Sequence, residues 1–201
     1  MSDWTGNYNS IFKTLGASNH TEKEREENDY YATDPIAIDK LLSVEKLNDK
    51  IWECACGEGH LANRLKQFGY DVVSTDIIDR NNKVDKIVDF LLCENLYPDR
   101  DILTNPPYKY AKDFCLKALS FLGKNCSLYM FLKLTFLEGK TRYKELFSKF
   151  PPKTVYVFSE RVLCAKNGEF EKMKQSGGSA VAYAWFVWQK DFQGETIIKW
   201  I

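Results

Sequence analysis

Two kinds of hydrophobic spacing alternate along this chain. Short runs rich in Val, Ile, Tyr, Phe and Trp, closed by polar or turn-forming residues, predict strands at Ile51–Cys56, Asp71–Asp76, Lys86–Phe90, Asp101–Asn105, Ser127–Lys133, Thr154–Ser159 and Ala182–Gln189. Between them, apolar residues recur at helical intervals and predict helices at Pro35–Ser43, His60–Phe68, Ala111–Phe121 and Lys140–Lys149. Strand–helix alternation at this spacing implies an α/β fold, a mostly parallel seven-stranded sheet with helices on both faces. The last two strands are separated by about 22 residues that contain Gly168, Gly177 and Gly178 but no apolar helical period. A connection of that length allows the last strand to run antiparallel to its neighbours.

The first 29 residues are polar and end in the charge run Glu22–Asp29, which reads as an N-terminal arm; residues 30–201 then form one domain. A chain of 201 residues with 44% hydrophobic and 28% charged positions has enough material for a core without disulfides or a structural metal. No apolar run approaches the roughly 18–20 residues needed to span a bilayer. The opening MSDWTGNYNS also lacks the apolar stretch of a secretory signal, so a cytoplasmic protein without membrane attachment is expected.

The six cysteines, Cys54, Cys56, Cys93, Cys115, Cys126 and Cys164, form no CxxC pair. Cys54 and Cys56 alternate along one run and would face opposite sides of a sheet. With only His20 and His60 besides, the expectation is reduced, buried thiols and no metal site. The net charge is zero, but it is unevenly spread: residues 1–108 sum to −8 and residues 109–201 to +8. Within the second half, residues 109–153 carry ten basic and three acidic side chains, either a field for phosphate backbones or a set of solvated helix faces.

Chemistry in parallel α/β sheets collects at the carboxyl ends of the strands. The first strand leads into Glu53-Cys54-Ala55-Cys56-Gly57-Glu58-Gly59-His60. An acid followed by a Gly-x-Gly turn that opens a helix suits a ligand with a cationic amine. It does not suit a pyrophosphate, because the turn carries Glu58 in place of a lysine. The second strand ends at Asp76, 19 residues after Gly57, where a carboxylate accepts ribose hydroxyls or caps the next turn. The third leads to Asp89-Phe90, an acceptor and an aromatic face of the sort an adenine needs.

The fourth ends Asn105-Pro106-Pro107-Tyr108. Two prolines cannot continue a central strand, so they turn Asn105 and the Pro106 carbonyl outward. Those two oxygens match the two hydrogens of a planar amino group, with Tyr108 beside the attached ring. A proline-rich strand exit with a capping asparagine is the alternative reading of the tetrapeptide alone.

These residues resemble the S-adenosylmethionine-dependent amino-methyltransferases, and more narrowly the small phage- and prophage-type N6-adenine DNA methyltransferases. The resemblance also covers Asp29-Tyr-Tyr-Ala-Thr33-Asp-Pro35, Ser74 to Arg80, Leu132 to Gly139 with Arg142, and Ala182 to Trp188. It implies a Rossmann-like class I methyltransferase fold. Tyr31, Thr33 and Pro35 would close over the methionine end of S-adenosylmethionine. Glu53, Cys54, Ala55, Gly57 and Gly59 would flank its amino group, Asp76 and Ile77 its ribose, and Asp89 and Phe90 its adenine. Asn105, Pro106, Pro107 and Tyr108 would hold the target amine, and Asn105 would border the cofactor as well.

Lys133, Phe136, Arg142 and Arg161 would shape the target pocket or touch phosphates, with DNA as the partner. No separate target-recognition domain is evident. The lysines of the 160–180 loop (Lys166, Lys172, Lys174) either read the target or form a solvated surface. The same tetrapeptide occurs in enzymes that methylate a glutamine amide of release factors or adenine in RNA, and a non-catalytic scaffold is a further alternative.

Overall fold

The computed structural model describes residues 31–166, 168, 170, 171 and 181–201. The arm 1–29, Lys172, Lys174 and the side chain of Lys166 lie outside the described residues. The elements in chain order are β1 (Tyr31–Thr33), α1 (Ile36–Leu42), β2 (Lys50–Glu53), α2 (His60–Gln67), β3 (Asp71–Asp76) and β4 (Lys86–Ile87). They continue with β5 (Asp101–Thr104), α3 (Ala111–Phe121), β6 (Ser127–Lys133), β7 (Thr154–Val157), β8 (Cys164–Lys166), β9 (Tyr183–Gln189) and β10 (Ile197–Trp200).

The main sheet has eight strands in the order β10-β7-β9-β6-β5-β2-β3-β4. Only β9 runs antiparallel, paired with β6 on one side and β7 on the other. The expected parallel sheet with one antiparallel strand is therefore present, with eight strands in place of seven. The added strand, β10, pairs in parallel with β7 at the sheet edge, and all four of its residues are exposed. An edge strand that buries neither face has no alternation to read.

A second pair, β1 with β8, forms a separate antiparallel ribbon that the hydrophobic pattern does not predict. Several predicted strands also stop early. β2 ends at Glu53 and β5 at Thr104, where Pro106 and Pro107 cannot continue the ladder. β4 is only two residues long, because Asp89 Oδ1 accepts the Leu91 N–H and its carbonyl accepts from Leu92 and Cys93, turning the chain. The helix predicted over Lys140–Lys149 is a single turn, Lys140–Arg142, running into a π-type turn, Tyr143–Phe147.

Alternate residues of the central strands feed two cores. On one face Trp52, Ile102, Leu128, Met130 and Leu132 pack with Phe114, Cys115 and Ala118 of α3. On the other, Ile51, Leu103, Tyr129 and Phe131 pack with Ile38 and Leu41 of α1 and with Leu61 and Leu65 of α2. A sheet covered on both sides holds its strand ends in fixed register. The indole N–H groups of the buried tryptophans are satisfied: Trp52 donates to Thr75 Oγ1 and Trp185 to the Ala37 carbonyl. At the amino end, buried Asp101 accepts the N–H groups of Asn48 and Ser127, fixing β5 between the starts of β2 and β6.

Candidate active site

The acid–glycine loop leaves β2 at Glu53, whose side chain is only 2% exposed. Burial pushes its carboxyl well above the ordinary carboxylate range, against the lowering effect of a hydrogen bond from the Ala62 N–H, and Asp76 raises it further. Among the described residues Glu53 Oε2 has no hydrogen-bond partner. The loop then turns tightly, with Gly59 N–H donating to the Cys56 carbonyl at 2.8 Å. Gly57 and Gly59 have φ of 55° and 78°, the left-handed region that favours glycine. Cys54 and Cys56 are buried, and burial raises both thiols.

Asp76 closes the loop from the next strand. Its Oδ2 accepts the Gly57 N–H at 2.8 Å, and its Oδ1 accepts the Ile78 N–H at 3.1 Å and Arg80 Nη1 at 3.3 Å. Ile77, beside it, is 57% exposed and presents an apolar surface at the strand end. Asp89 is half-buried, whereas Phe90 is 2% exposed and packed among Trp52, Phe114 and Phe121 in the core. Phe90 therefore floors this region from within, and its ring stacks on Phe114.

Asn105 stands where β5 meets the diproline. Its Nδ2 donates to Thr33 Oγ1 at 2.8 Å and to the Tyr31 carbonyl at 3.3 Å, with Cys164 Sγ at 3.5 Å. A backbone carbonyl only accepts, so the NH₂ end of the amide must face Tyr31. That fixes Oδ1 on the other side, where among the described residues it has no partner although it is buried. The β1–β8 ribbon thus supplies the contacts that orient this amide, with Thr33 opposite Cys164 in its register.

Tyr108 follows in a 3₁₀ turn, Tyr108–Tyr110, that opens α3. Its hydroxyl lies 3.1 Å from Cys164 Sγ, and its ring is bordered by Tyr31 and Tyr183 with centroids 6.3 and 6.1 Å away. The Lys133 ammonium, from the end of β6, sits over the Tyr108 ring at 4.5 Å. Burial pushes both the Tyr108 phenol and the Cys164 thiol up, so neither ionises readily.

Other residues singled out by the sequence are placed differently. Phe136 is 8% exposed and packs edge-on against Phe147 and Phe186 in the core. Arg142 donates to the carbonyls of Thr135, Phe136 and Glu138 and so braces its own turn. Arg161 is exposed and lines a cleft of about 260 Å³ with Phe158, Ala182 and Tyr183. Pro35 leads into α1, next to β1. Cys164 and Tyr183 border the tetrapeptide, yet the sequence does not single them out as site residues; a thiol in an apolar run carries no signal beyond burial.

No protein-family model matches the sequence, and no curated protein does. Solved structures do. A protein assigned as a class I S-adenosylmethionine-dependent methyltransferase from Listeria monocytogenes superposes with a TM-score of 0.53 at 11% identity, over 83% of this chain and 62% of that one. A predicted O-methyltransferase from Agrobacterium tumefaciens gives 0.53 at 10% identity, over 83% and 84% of the two chains. The fold is that of the class I methyltransferases. At these identities the likeness is one of backbone path. A protein assigned as a hemolysin from Lactococcus lactis has a comparable match, with a TM-score of 0.56 at 12% identity over 82% of this chain and 91% of that one. The chain spans under two thirds of the Listeria protein's length.

The pocket residues fit S-adenosylmethionine as a group. Among the described residues Glu53 Oε2 is a buried acceptor without a partner, suited to an ammonium, and it lies beside a glycine turn and the Asp76 carboxylate. Among the described residues no helix is long and apolar enough to cross a membrane.

Proposed function

We propose that this chain transfers a methyl group from S-adenosylmethionine to an exocyclic amine, with adenine N6 of DNA as the target. The observation that carries the reading is the fixed Asn105 amide, with a buried acceptor oxygen left open at the end of β5. Glu53 would hold the cofactor's amino group, Asp76 and Ile77 its ribose and the start of its adenine, and Asp89 the adenine amine. When bound, S-adenosylmethionine supplies an electrophilic methyl on a sulfonium.

The chain's own part is to present the amine. An aryl amino nitrogen is a poor nucleophile because its lone pair is shared with the ring. Asn105 Oδ1 and the Pro106 carbonyl accept its two hydrogens and hold them away from the conjugated plane, which returns lone-pair density to nitrogen. Tyr108 supports the ring by stacking, and the fixed geometry gives the proximity that such a transfer requires. The two acceptor oxygens also stabilise the positive charge that nitrogen gains. A target within a duplex has to leave the base stack to reach them. The basic stretch 109–153, with exposed Lys109, Tyr110, Lys140, Tyr143 and Lys144 around the same end of the sheet, supports a phosphate-bearing partner.

The test is transfer from labelled S-adenosylmethionine to duplex DNA, single-stranded DNA, RNA and release factor in parallel, followed by identification of the modified nucleoside or residue. The expected product is N6-methyladenine in DNA. Asn105→Ala is expected to lower transfer by roughly a hundredfold or more while leaving cofactor affinity nearly unchanged. Label confined to RNA or to a glutamine amide would move the substrate to that class. Equal loss of binding and transfer in the variant would show that Asn105 supports the cofactor pocket as a whole and does not act on the amine.

A further inference from the structure

The tetrapeptide's two functional side chains, Asn105 and Tyr108, share no hydrogen bond with each other, yet both reach one atom. Cys164 Sγ lies 3.1 Å from the Tyr108 hydroxyl and 3.5 Å from Asn105 Nδ2. The thiol belongs to β8, about 60 residues further along the chain, and its residue is 3% exposed. We propose that Cys164 is a positioning residue that couples the amine-accepting amide to the stacking ring; the proposal rests on the amine-methylating function proposed for this site.

The donor–acceptor inventory supports a directed chain. Asn105 Nδ2 has two hydrogens: one goes to Thr33 Oγ1, and the other is shared between the Tyr31 carbonyl and Cys164 Sγ. Sulfur therefore accepts from the amide, weakly at this distance; with its own S–H directed to the Tyr31 carbonyl at 3.9 Å, it accepts from the phenol as well. Because burial keeps both thiol and phenol protonated, this link persists across the working pH range. Tyr108 has only χ1 and χ2 to set its ring, and its hydroxyl lies on the χ2 axis, so anchoring the hydroxyl fixes where the ring sits relative to the amide and leaves its plane to the groups around it. The ring is edged by Tyr31 and Tyr183 but is not face-packed by either, since both pairs are tilted with centroids beyond 6 Å. The sulfur contact thus shares the hydroxyl with a Tyr183 side-chain hydrogen bond and holds the ring's position, while the Lys133 ammonium lies over the ring face. A methyl transfer needs its nucleophile held in a narrow approach, so a ring free to swing out of place costs rate more than affinity.

Three variants test this: Cys164→Ala, Tyr108→Phe and the double substitution, with Cys164→Ser as the conservative replacement. Cys164→Ala is expected to lower kcat about tenfold, with KM for DNA and cofactor affinity changed less than about twofold. Tyr108→Phe is expected to lose a similar factor, and the double variant no more than either alone. Cys164→Ser restores most of kcat.

A second readout needs no turnover. The S–H stretching band that disappears from the infrared spectrum in Cys164→Ala should shift in Tyr108→Phe, because a sulfur that loses the phenol as donor changes its own S–H bond. A Cys164→Ala protein with wild-type kcat, additive losses in the double variant, or an S–H band indifferent to Tyr108→Phe would each overturn the proposal. So would a serine variant as impaired as alanine with a matching fall in Tm, which would make the thiol a packing group. If the wild-type chain methylates no amine at all, the functional reading fails and takes this proposal with it. Active wild type with an unaffected alanine variant removes the proposal alone.

Discussion

At the residue scale, Glu53 combines burial with an open carboxyl oxygen. It is buried at the carboxyl end of β2, it accepts one backbone N–H, and its second oxygen is left open. Burying a carboxylate disfavours its charged form, so its folded-state pKa lies well above the usual value while the unfolded chain keeps the ordinary one. The folded protein then holds a proton that the unfolded chain releases. Stability linked to Glu53 is complete below about pH 4.5 and declines as pH rises from there through the raised folded-state pKa. Glu53→Gln removes that dependence. Its Tm is expected to exceed the wild-type value at neutral and mildly alkaline pH, with the gap closing as pH falls toward 4.5, measured by thermal melts across pH. The same substitution removes the carboxylate charge proposed to hold a cationic amine, so cofactor affinity should fall while stability rises. Parallel Tm curves at every pH would show that the Glu53 carboxyl titrates alike in the folded and unfolded chain, against the upward shift that its burial implies.

At the element scale, the turn after β6 shows how a short irregular segment is made rigid. In and just after the 3₁₀ turn Leu134–Leu137, Arg142 donates to the carbonyls of Phe136 and Glu138 and adds a second donor to that of Thr135, which also accepts the Glu138 N–H. Gly139 lets the guanidinium approach. Its φ is +135°, and an added Cβ would lie 3.0 Å from Arg142 Nη2. Gly139→Ala therefore meets backbone strain and displaced hydrogen bonds together, and is expected to destabilise the fold by about 1–3 kcal/mol, read by urea unfolding. Arg142→Lys should lose a comparable amount, because one ammonium does not reproduce a planar fork serving three carbonyls. Unchanged unfolding in both variants would free Arg142 for the phosphate contact that the sequence suggests.

This turn also marks what the chain discloses and what it hides. Buried strands such as Ser127–Lys133 and the helix Ala111–Phe121 were legible to the residue, since burial on a fixed period leaves a pattern. Asn105, Pro106, Pro107 and Tyr108 stand out as a candidate site because two prolines at a strand end have few structural uses. The exposed edge strand β10 and the ribbon β1–β8 left no such trace. The ribbon joins segments more than 130 residues apart through three residues each. Its partners for Asn105 (a threonine hydroxyl, a backbone carbonyl and a thiol) are ordinary groups until the fold brings them together. Phe136 misled for the opposite reason: an aromatic beside a functional motif is also what a core uses.

At the scale of the whole molecule, the candidate site draws on most of the chain's length while using few residues of each element. β2 contributes Glu53, β3 Asp76, β5 leads to Asn105, and the β1–β8 ribbon crosses the same end of the sheet to orient it. Asp76 already ties two of these parts, through Gly57 at 2.8 Å. A ligand that engages Glu53, the glycine turn and Asp76 at once would add further links between β2 and β3, and its binding energy would appear in global unfolding.

S-adenosylhomocysteine, the demethylated product, at about a hundred times its Kd should stabilise the fold by about 2.7 kcal/mol. For a domain of this size that corresponds to a rise in Tm of roughly 5–11 °C. Asp76→Ala is expected to abolish most of the rise, because it removes both the proposed ribose acceptor and the clamp on the turn, and it should lower the ligand-free Tm as well. Glu53→Gln should reduce the rise without lowering the starting Tm. Adenosine alone, lacking the amino acid end, should produce a much smaller shift in wild type and the same shift in Glu53→Gln. If adenosine matched S-adenosylhomocysteine, the acid at the end of β2 would have no ammonium to hold. The open oxygen of Glu53 would then have to be explained by the fold alone.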